Sequence, residues 1–298
     1  MTATRPTGGR LADAAGVTRR FGAFTAVNDV SMSVGEGEIV GLIGANGAGK
    51  TTLIRMLLGL LPASAGRVAL FAELPSRETR RRLGYVPQSL GLYSDLTVTE
   101  NLAFTAHAFR TRPPATLPDE LTAVRNRLVG EIGLGLQRQL AFVAALAHNP
   151  ELLVLDEPTS GVDPLARSRL WDTIHEQADH GTGVLVTTHY MQEADQCDRL
   201  VIMVAGRVAA AGTVGQIIGG RTAVLVDTDS WEQAFRALTD ARMPVLLTGR
   251  SCRVPDTPAA DVERVLEKAG ISTRITTVPS TLDETLITLS QTTAAPVS

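Results

Sequence analysis

A glycine-rich segment between Gly44 and Thr52 carries the clearest chemical signal in the sequence. It matches the pattern GxxxxGK[ST] and lies between an apolar run and an apolar helical pattern, Leu53–Leu60. Glycines let successive backbone N–H groups face one anion, Lys50 adds a cation for the β/γ oxygens, and Thr51 offers a hydroxyl to Mg²⁺. We therefore predict a nucleotide phosphate site formed by Gly44, Ala45, Asn46, Gly47, Ala48, Gly49, Lys50, Thr51 and Thr52.

Two adjacent carboxylates follow a second apolar run, Leu152–Leu155. Asp156 ends this run at the expected height of the phosphate loop, where it can orient Mg²⁺ directly or through water. Glu157 lies one residue beyond the run, where it can polarise an attacking water as a general base. The pair predicts hydrolysis of a nucleoside triphosphate, ATP, with Mg²⁺ as cofactor.

The elements that position these groups follow from the alternation of short β-rich runs and helical stretches. Ile39–Ile43, Leu152–Leu155 and Val184–Thr187 have the continuous apolar character of buried parallel strands. Ligands of open α/β sheets bind beyond the carboxyl ends of the strands. The phosphate loop and both carboxylates follow such ends, which predicts one shared site.

The chain divides into three parts by composition. Residues 10–220 predict an α/β ATP-binding domain, with a helical insert at about 97–150 that is interrupted by prolines. Residues 221–290 predict a small C-terminal β/α domain, and residues 291–298 a flexible tail.

Further motifs resemble the ATP-binding subunits of ABC transporters over roughly residues 14–219. Gln88, in Gly84–Gln88, is similar to the Q-loop glutamine, and His189 to the switch histidine that touches the γ-phosphate. Phe21 resembles the aromatic that stacks on adenine, with a core aromatic as the alternative. Ser160, Gly161, Val162 and Asp163 resemble the D-loop. The resemblance implies a P-loop NTPase core of the ABC ATPase type with a helical subdomain, Glu157, His189, Gln88 and Lys50 as catalytic residues, and Thr51, Gln88 and Asp156 around the metal.

Two segments narrow the resemblance to a group of exporters. Gly91–Leu102 is similar to the ATPases of ABC-2-type exporters, and 278–286 is similar to the end of their small C-terminal domain. The resemblance implies an ATPase that powers export of a drug-like, antibiotic or lipid-like substrate. It also implies a separate transmembrane permease and a second ATPase cassette in a homodimer or heterodimer.

The family signature LSGGQ is altered in this chain. Its place is taken by Gly133, Leu134, Gly135, Leu136 and Gln137 after Ile132. Counting back from Pro150 without a gap puts Gly133 at the serine, whereas anchoring on Gln137 puts Leu134 there. In either register the serine hydroxyl is absent. The insert is also shorter by about one helix than in the family, which predicts an altered surface towards the membrane partner.

Composition limits the remaining possibilities. The formal net charge is −3, which predicts no nucleic-acid partner. Cys197 and Cys252 are too few for a disulfide framework and fit a reducing compartment. No apolar run approaches the ~20 residues that cross a bilayer. We therefore expect a cytoplasmic protein that is peripheral on the inner face of the membrane.

Two other interpretations remain open at this point. The altered signature favours an ATP-binding regulatory or assembly subunit with little turnover. A soluble ABC protein of translation or DNA repair is the second, although the paired cassettes or long coiled-coil insertions of those proteins are not visible here.

Overall fold

The computed structural model describes residues 9–294, with side chains described to residue 290. The strands are β1 (Arg10–Phe21), β2 (Phe24–Gly35), β3 (Ile39–Ile43), β4 (Ala65–Leu70), β5 (Leu83–Val86), β6 (Leu152–Asp156), β7 (Gly183–Thr188), β8 (Arg199–Val204), β9 (Arg207–Gly212), β10 (Thr222–Asp227), β11 (Leu246–Thr248), β12 (Ser251–Pro255) and β13 (Arg274–Pro279).

The helices are α1 (Lys50–Leu57), α2 (Arg77–Arg80), α3 (Val98–Phe109), α4 (Asp119–Ala123), α5 (Leu134–Leu146), α6 (Pro164–Asp179), α7 (Val214–Ile218), α8 (Trp231–Asp240), α9 (Ala259–Lys268) and α10 (Leu282–Ala294), with 3-10 turns at Val129–Glu131 and Met191–Gln196. No helix among residues 9–294 is both long and apolar enough to span a membrane.

A six-stranded sheet has the order β5-β6-β7-β3-β8-β9, and its first five strands form the centre of the first unit, which ends at Val208. Strands β5, β6, β7, β3 and β8 run parallel. The sequence predicts its three central strands as buried, and β3, β6 and β7 are buried at every residue.

Both faces of this sheet are covered, because side chains alternate between two apolar clusters. Leu152 and Val154 of β6 pack in a cluster with α1, whereas Leu153 and Leu155 pack in a cluster with α5 and α6. The strand ends, and therefore the site beyond them, are fixed from two sides.

A three-stranded antiparallel sheet, in the order β2-β1-β4, was not foreseen by the prediction of a parallel sheet. The pairing of β1 with β2 has register shifts at several points, including one between Ala14 and Val17. Such irregularities break the two-residue alternation by which strands are recognised in a sequence.

The helical insert, formed by α3, α4, the turn Val129–Glu131 and α5, has an apolar cluster of its own. Val98, Leu121, Val129, Ile132 and Leu140 are among its buried members. α4 is a single short helix between Pro118 and Val124.

The contacts divide the chain between Val208 and Ala209, earlier than the predicted boundary at residue 220. α7 packs against α10 in the second unit, which explains why this unit begins before residue 220. Its antiparallel sheet has the order β11-β12-β10-β13, and its apolar cluster is built on β10, β12, α8 and α9. β12 was not foreseen.

The last helix, α10, extends into the predicted tail. Thr281 and Glu284 exchange side-chain and backbone hydrogen bonds at its start, the arrangement of a capping box. The helix continues to Ala294, so the first residues of the predicted tail are helical. Residues 295–298 lie outside the described residues.

We predict that Leu153→Ala lowers the free energy of unfolding by about 2–5 kcal/mol, because it leaves a cavity at a fully buried position of β6. Urea unfolding followed by Trp171 fluorescence, in a Trp231→Phe background, measures the change. Leu60→Ala is the control, since Leu60 is 55% exposed. Equal losses in the two variants would contradict the prediction.

Candidate active site

The parallel strands bring the predicted catalytic residues to one edge of the sheet. The phosphate loop follows β3, Gln88 follows β5, Glu157 follows β6 and His189 follows β7. Because β5, β6, β7 and β3 are neighbours, these side chains meet although they are distant in sequence.

The glycines of the phosphate loop are required at defined places. Gly49 has φ of +101°, and a Cβ there would lie 2.5 Å from the carbonyl oxygen of Ala26. Gly47 has φ of +82°, but nothing lies within 4 Å of its Cβ position, so the loop is open on that side. Backbone N–H groups can approach a ligand closely where no side chain intervenes.

Lys50, the first residue of α1, is buried beneath the loop. Its Nζ donates to the carbonyl oxygen of Gly44 at 2.7 Å and to that of Ala45 at 3.3 Å. Burial lowers the pKa of Lys50, against the opposing charges of Glu157 and Asp156. The ammonium is thus held at the loop rather than in solvent, where it can meet a phosphate.

Asp156 joins three elements through its carboxylate, which is only 1% exposed. Thr51 Oγ1 donates to Oδ2 at 2.9 Å, and Thr187 Oγ1 donates to Oδ1 at 2.8 Å. The donation from Thr51 brings together the hydroxyl and carboxylate that the sequence assigns to Mg²⁺.

The protein supplies only part of the oxygen shell that Mg²⁺ needs, so a bound nucleotide and water must supply the remaining oxygens. Among the described residues, no group of three or more His, Cys, Asp or Glu side chains could hold a metal. Mg²⁺ commonly uses one or two protein carboxylates together with waters and substrate phosphates. Thr51 and Asp156 are therefore suited to Mg²⁺ bound with a nucleotide, whereas the amide of Gln88, the third predicted ligand, donates to Glu157.

Three polar groups surround the carboxylate of Glu157. Gln88 Nε2 donates to Oε2 at 3.2 Å, His189 Nδ1 lies 3.7 Å from the same oxygen, and Lys50 Nζ lies 3.8 Å from Oε1. The predicted base, switch histidine and Q-loop glutamine thus form one cluster.

The backbone of Glu157 is left-handed, with φ of +53°. Such a conformation is costly for a residue with a side chain and persists where the surroundings hold it. Its N–H donates to Thr187 Oγ1 at 2.8 Å. No role was predicted for Thr187 from the sequence, although a hydroxyl at the end of a strand of valines and leucines indicates a polar contact at that end.

Phe21 lies apart from this cluster, at the end of β1. Its side chain is 46% exposed, and the guanidinium of Arg19 lies over the ring at 4.6 Å. This exposure contradicts the alternative interpretation of Phe21 as a core aromatic. The ring face opposite Arg19 is available to stack on an adenine.

The predicted D-loop follows Glu157 and ends at the start of α6. Asp163 caps α6 by accepting from the N–H groups of Leu165 and Ala166, each at 3.0 Å, and these bonds lower the pKa of its carboxyl group. Val162 is buried, whereas Ser160 is half-buried and Gly161 is exposed.

Comparison with known proteins decides the family. The model of the ABC transporter family matches residues 27–160. The probable multidrug ABC transporter ATP-binding protein YbhF of Escherichia coli is 39% identical over 217 residues, which are 69% of this chain and 38% of that protein. The Nod factor export ATP-binding protein I of Burkholderia orbicola is 42% identical over 216 residues, 68% of this chain and 70% of that protein.

This chain belongs to the ABC transporter ATP-binding family. A solved ATP-binding subunit of an ABC transporter has the same fold, with a TM-score of 0.64 and 30% identity over 70% of this chain and 91% of that one. The predicted family and cassette fold are confirmed, and family membership implies nucleotide binding.

The segment predicted to be the altered signature lies at the start of α5. Gly133 is the N-cap residue and supplies no side-chain cap, and Leu134 is 45% exposed and lies beside Gly161. Gln137 Nε2 is directed back to the carbonyl oxygens of Val129 and Ile132. Gly135 and Leu136 lie in the first turn, with Leu136 packed on the cluster of the insert.

We predict that Thr187→Val lowers the free energy of unfolding by about 1–3 kcal/mol, because it leaves the Glu157 N–H without its acceptor and Asp156 without one donor. Urea unfolding without nucleotide measures this loss. Thr173→Val, at a half-buried position of α6 whose hydroxyl donates to the Arg169 carbonyl of the same helix, is the control and should change it by less than ~0.5 kcal/mol. An unchanged Thr187→Val variant would show that these hydrogen bonds do not stabilise the fold.

Proposed function

We propose that this ABC-family chain binds MgATP and hydrolyses it to power an ABC-2-type exporter. The observation that carries the proposal is the cluster around Glu157, where Lys50, Gln88 and His189 approach one carboxylate beside the phosphate loop. Their arrangement supports attack of water on a bound γ-phosphate.

Each group has a role that follows from its position. Lys50 exchanges its loop carbonyls for β/γ-phosphate oxygens and stabilises the charge that gathers there in the transition state. Glu157 accepts the proton of the attacking water, Gln88 orients that water, and His189 contacts the γ-phosphate. Phe21 stacks on the adenine.

Thr51 and Asp156, with Gln88, would hold the metal, directly or through water. When bound, Mg²⁺ neutralises phosphate charge. The D-loop of Ser160, Gly161, Val162 and Asp163 would face a second cassette.

The assembly and the substrate class rest on the relatives. Their names describe multidrug transport and export of Nod factor, which supports export of a drug-like, antibiotic or lipid-like molecule. We propose a cytoplasmic subunit, peripheral on the inner face of the membrane, that pairs with a separate transmembrane permease and with a second cassette in a homodimer or heterodimer.

We expect Lys50→Ala to reduce phosphate release at saturating MgATP by at least about a hundredfold, because the transition state loses its cation. Lys268→Ala is the matched control, since Lys268 is the only other lysine of the sequence and is exposed in the second unit. An undiminished rate in Lys50→Ala would remove the basis of the proposed function.

Glu157→Gln should retain ATP binding and slow hydrolysis by about a hundredfold or more, because an amide fills the space but cannot accept the proton. Size-exclusion chromatography with MgATP should show a longer-lived dimer. Glu151→Gln, at the opposite end of β6 and paired with Arg82, should behave as wild type. A variant that remains monomeric and hydrolyses ATP normally would refute the role of Glu157.

A second candidate function is an ATP-binding regulatory or assembly subunit with little turnover. It is favoured by the uncapped start of α5 at Gly133 and by the exposed Leu134. A serine hydroxyl at the N-cap typically stabilises a helix by ~0.5–2 kcal/mol and, in the proposed dimer, would also reach a phosphate. The rate of ATP hydrolysis compared with ATP-driven dimerisation separates the two functions.

The double change Gly133→Ser with Leu134→Gly should raise phosphate release at least several-fold. It restores a hydroxyl donor and removes a branched side chain from the place where the backbone should approach the nucleotide. The same double change in a Lys50→Ala background should leave the rate of phosphate release unchanged. An unchanged or lower rate would mean that the register is wrong or that the shortened insert limits turnover.

A further inference from the structure

Arg138, near the start of α5, is a buried cation whose partners are backbone carbonyls. Its side chain is 8% exposed, and burial lowers the pKa of its guanidinium. Among the described residues, no carboxylate lies within ion-pair distance of it. Placing a cation in such an environment is unfavourable unless its donors find good acceptors.

The acceptors are in the active site. Arg138 Nη1 donates to the carbonyl oxygens of Glu157 and of Pro158, each at 3.0 Å. The peptide groups on both sides of Glu157 are therefore held from different elements. Thr187 of β7 accepts from the Glu157 N–H, and Arg138 of α5 donates to its carbonyl.

These two hydrogen bonds restrain a residue whose backbone conformation is unfavourable. Glu157 is in the left-handed region at φ of +53°, which an unrestrained glutamate seldom adopts. If either hydrogen bond is lost, rotation about this residue redirects its carboxylate away from Gln88 and Lys50. A misplacement of ~1 Å can cost a hundredfold in rate.

We propose that Arg138 is a positioning residue that sets the orientation of Glu157 for the attack of water. The proposal rests on the ATPase function proposed above. Through Arg138, α5 is hydrogen-bonded directly to the backbone of the proposed general base.

The connection has a consequence for communication within a dimer. α5 begins with Gly133 and Leu134, the residues assigned to the signature that faces the other cassette's nucleotide, and Arg138 follows within the same helix. In the proposed dimer, a shift of α5 would therefore move Arg138 and, with it, the carbonyl of Glu157.

The rate of Arg138→Gln tests the proposal. We expect kcat for phosphate release to fall at least about tenfold, with the KM for MgATP within about twofold of wild type. Arg199→Gln is the control, because Arg199 also donates to a backbone carbonyl, that of Ser33, and lies at the start of β8, away from the site; its Nε also pairs with Glu38. A smaller fall in kcat, or a loss of affinity as large as the loss of kcat, overturns the proposal.

A Glu157→Gln background separates positioning from a structural role. With the base already removed, Arg138→Gln should change the residual rate by less than about twofold, whereas a variant that merely weakens the fold lowers the rate in both backgrounds. A further fall of tenfold in the Glu157→Gln background overturns the proposal.

Amide hydrogen exchange tests the contact without relying on hydrolysis. In Arg138→Gln, exchange of the peptide that covers residues 157–163 should be at least about fivefold faster, and in Arg199→Gln it should be unchanged. Unchanged exchange in Arg138→Gln overturns the proposal. If wild type releases phosphate no faster than Lys50→Ala, the ATPase function fails, and the exchange measurement still decides the role of Arg138.

Discussion

The two hydroxyl donations to Asp156 are the interactions on which the site depends. A buried carboxylate is costly unless both of its oxygens are satisfied, and here one oxygen accepts from Thr51 at the start of α1 and the other from Thr187 at the end of β7. The phosphate loop, the end of β6 and the approach to His189 are thereby fixed relative to one another. The same Thr187 hydroxyl accepts from the N–H of Glu157, so the position of the proposed base is tied to that of the carboxylate proposed to hold Mg²⁺.

The shape of the phosphate loop depends on a part of the first unit that contributes little chemistry of its own. The carbonyl of Ala26, on β2, lies where a side chain on Gly49 would have to be. The antiparallel sheet thus closes one side of the loop and leaves the side of Gly47 open. Catalytic geometry at the parallel sheet consequently relies on packing by the antiparallel one.

The sequence was most informative where local pattern and chemistry coincide. The continuous apolar runs of β3, β6 and β7 identify buried parallel strands, and the polar residues that follow them identify the site. β1 and β2 were not predicted from the sequence, because their register shifts interrupt the alternation of apolar and polar residues. The roles of Thr187 and Arg138 could not be predicted for another reason. They arise from contacts that form only when distant segments pack together, with Asp156, Glu157 and Pro158. A lone arginine in a sequence gives no indication that it is buried.

The rarity of lysine gives the chain an unusual reactivity towards acylating reagents. Of its two lysine side chains, Lys50 is 5% exposed with its Nζ engaged by loop carbonyls, while Lys268 is exposed at the end of α9. An amine-directed dye or surface linker therefore meets one accessible ε-amino group, in the second unit. A fluorophore attached at that group leaves the nucleotide site chemically intact.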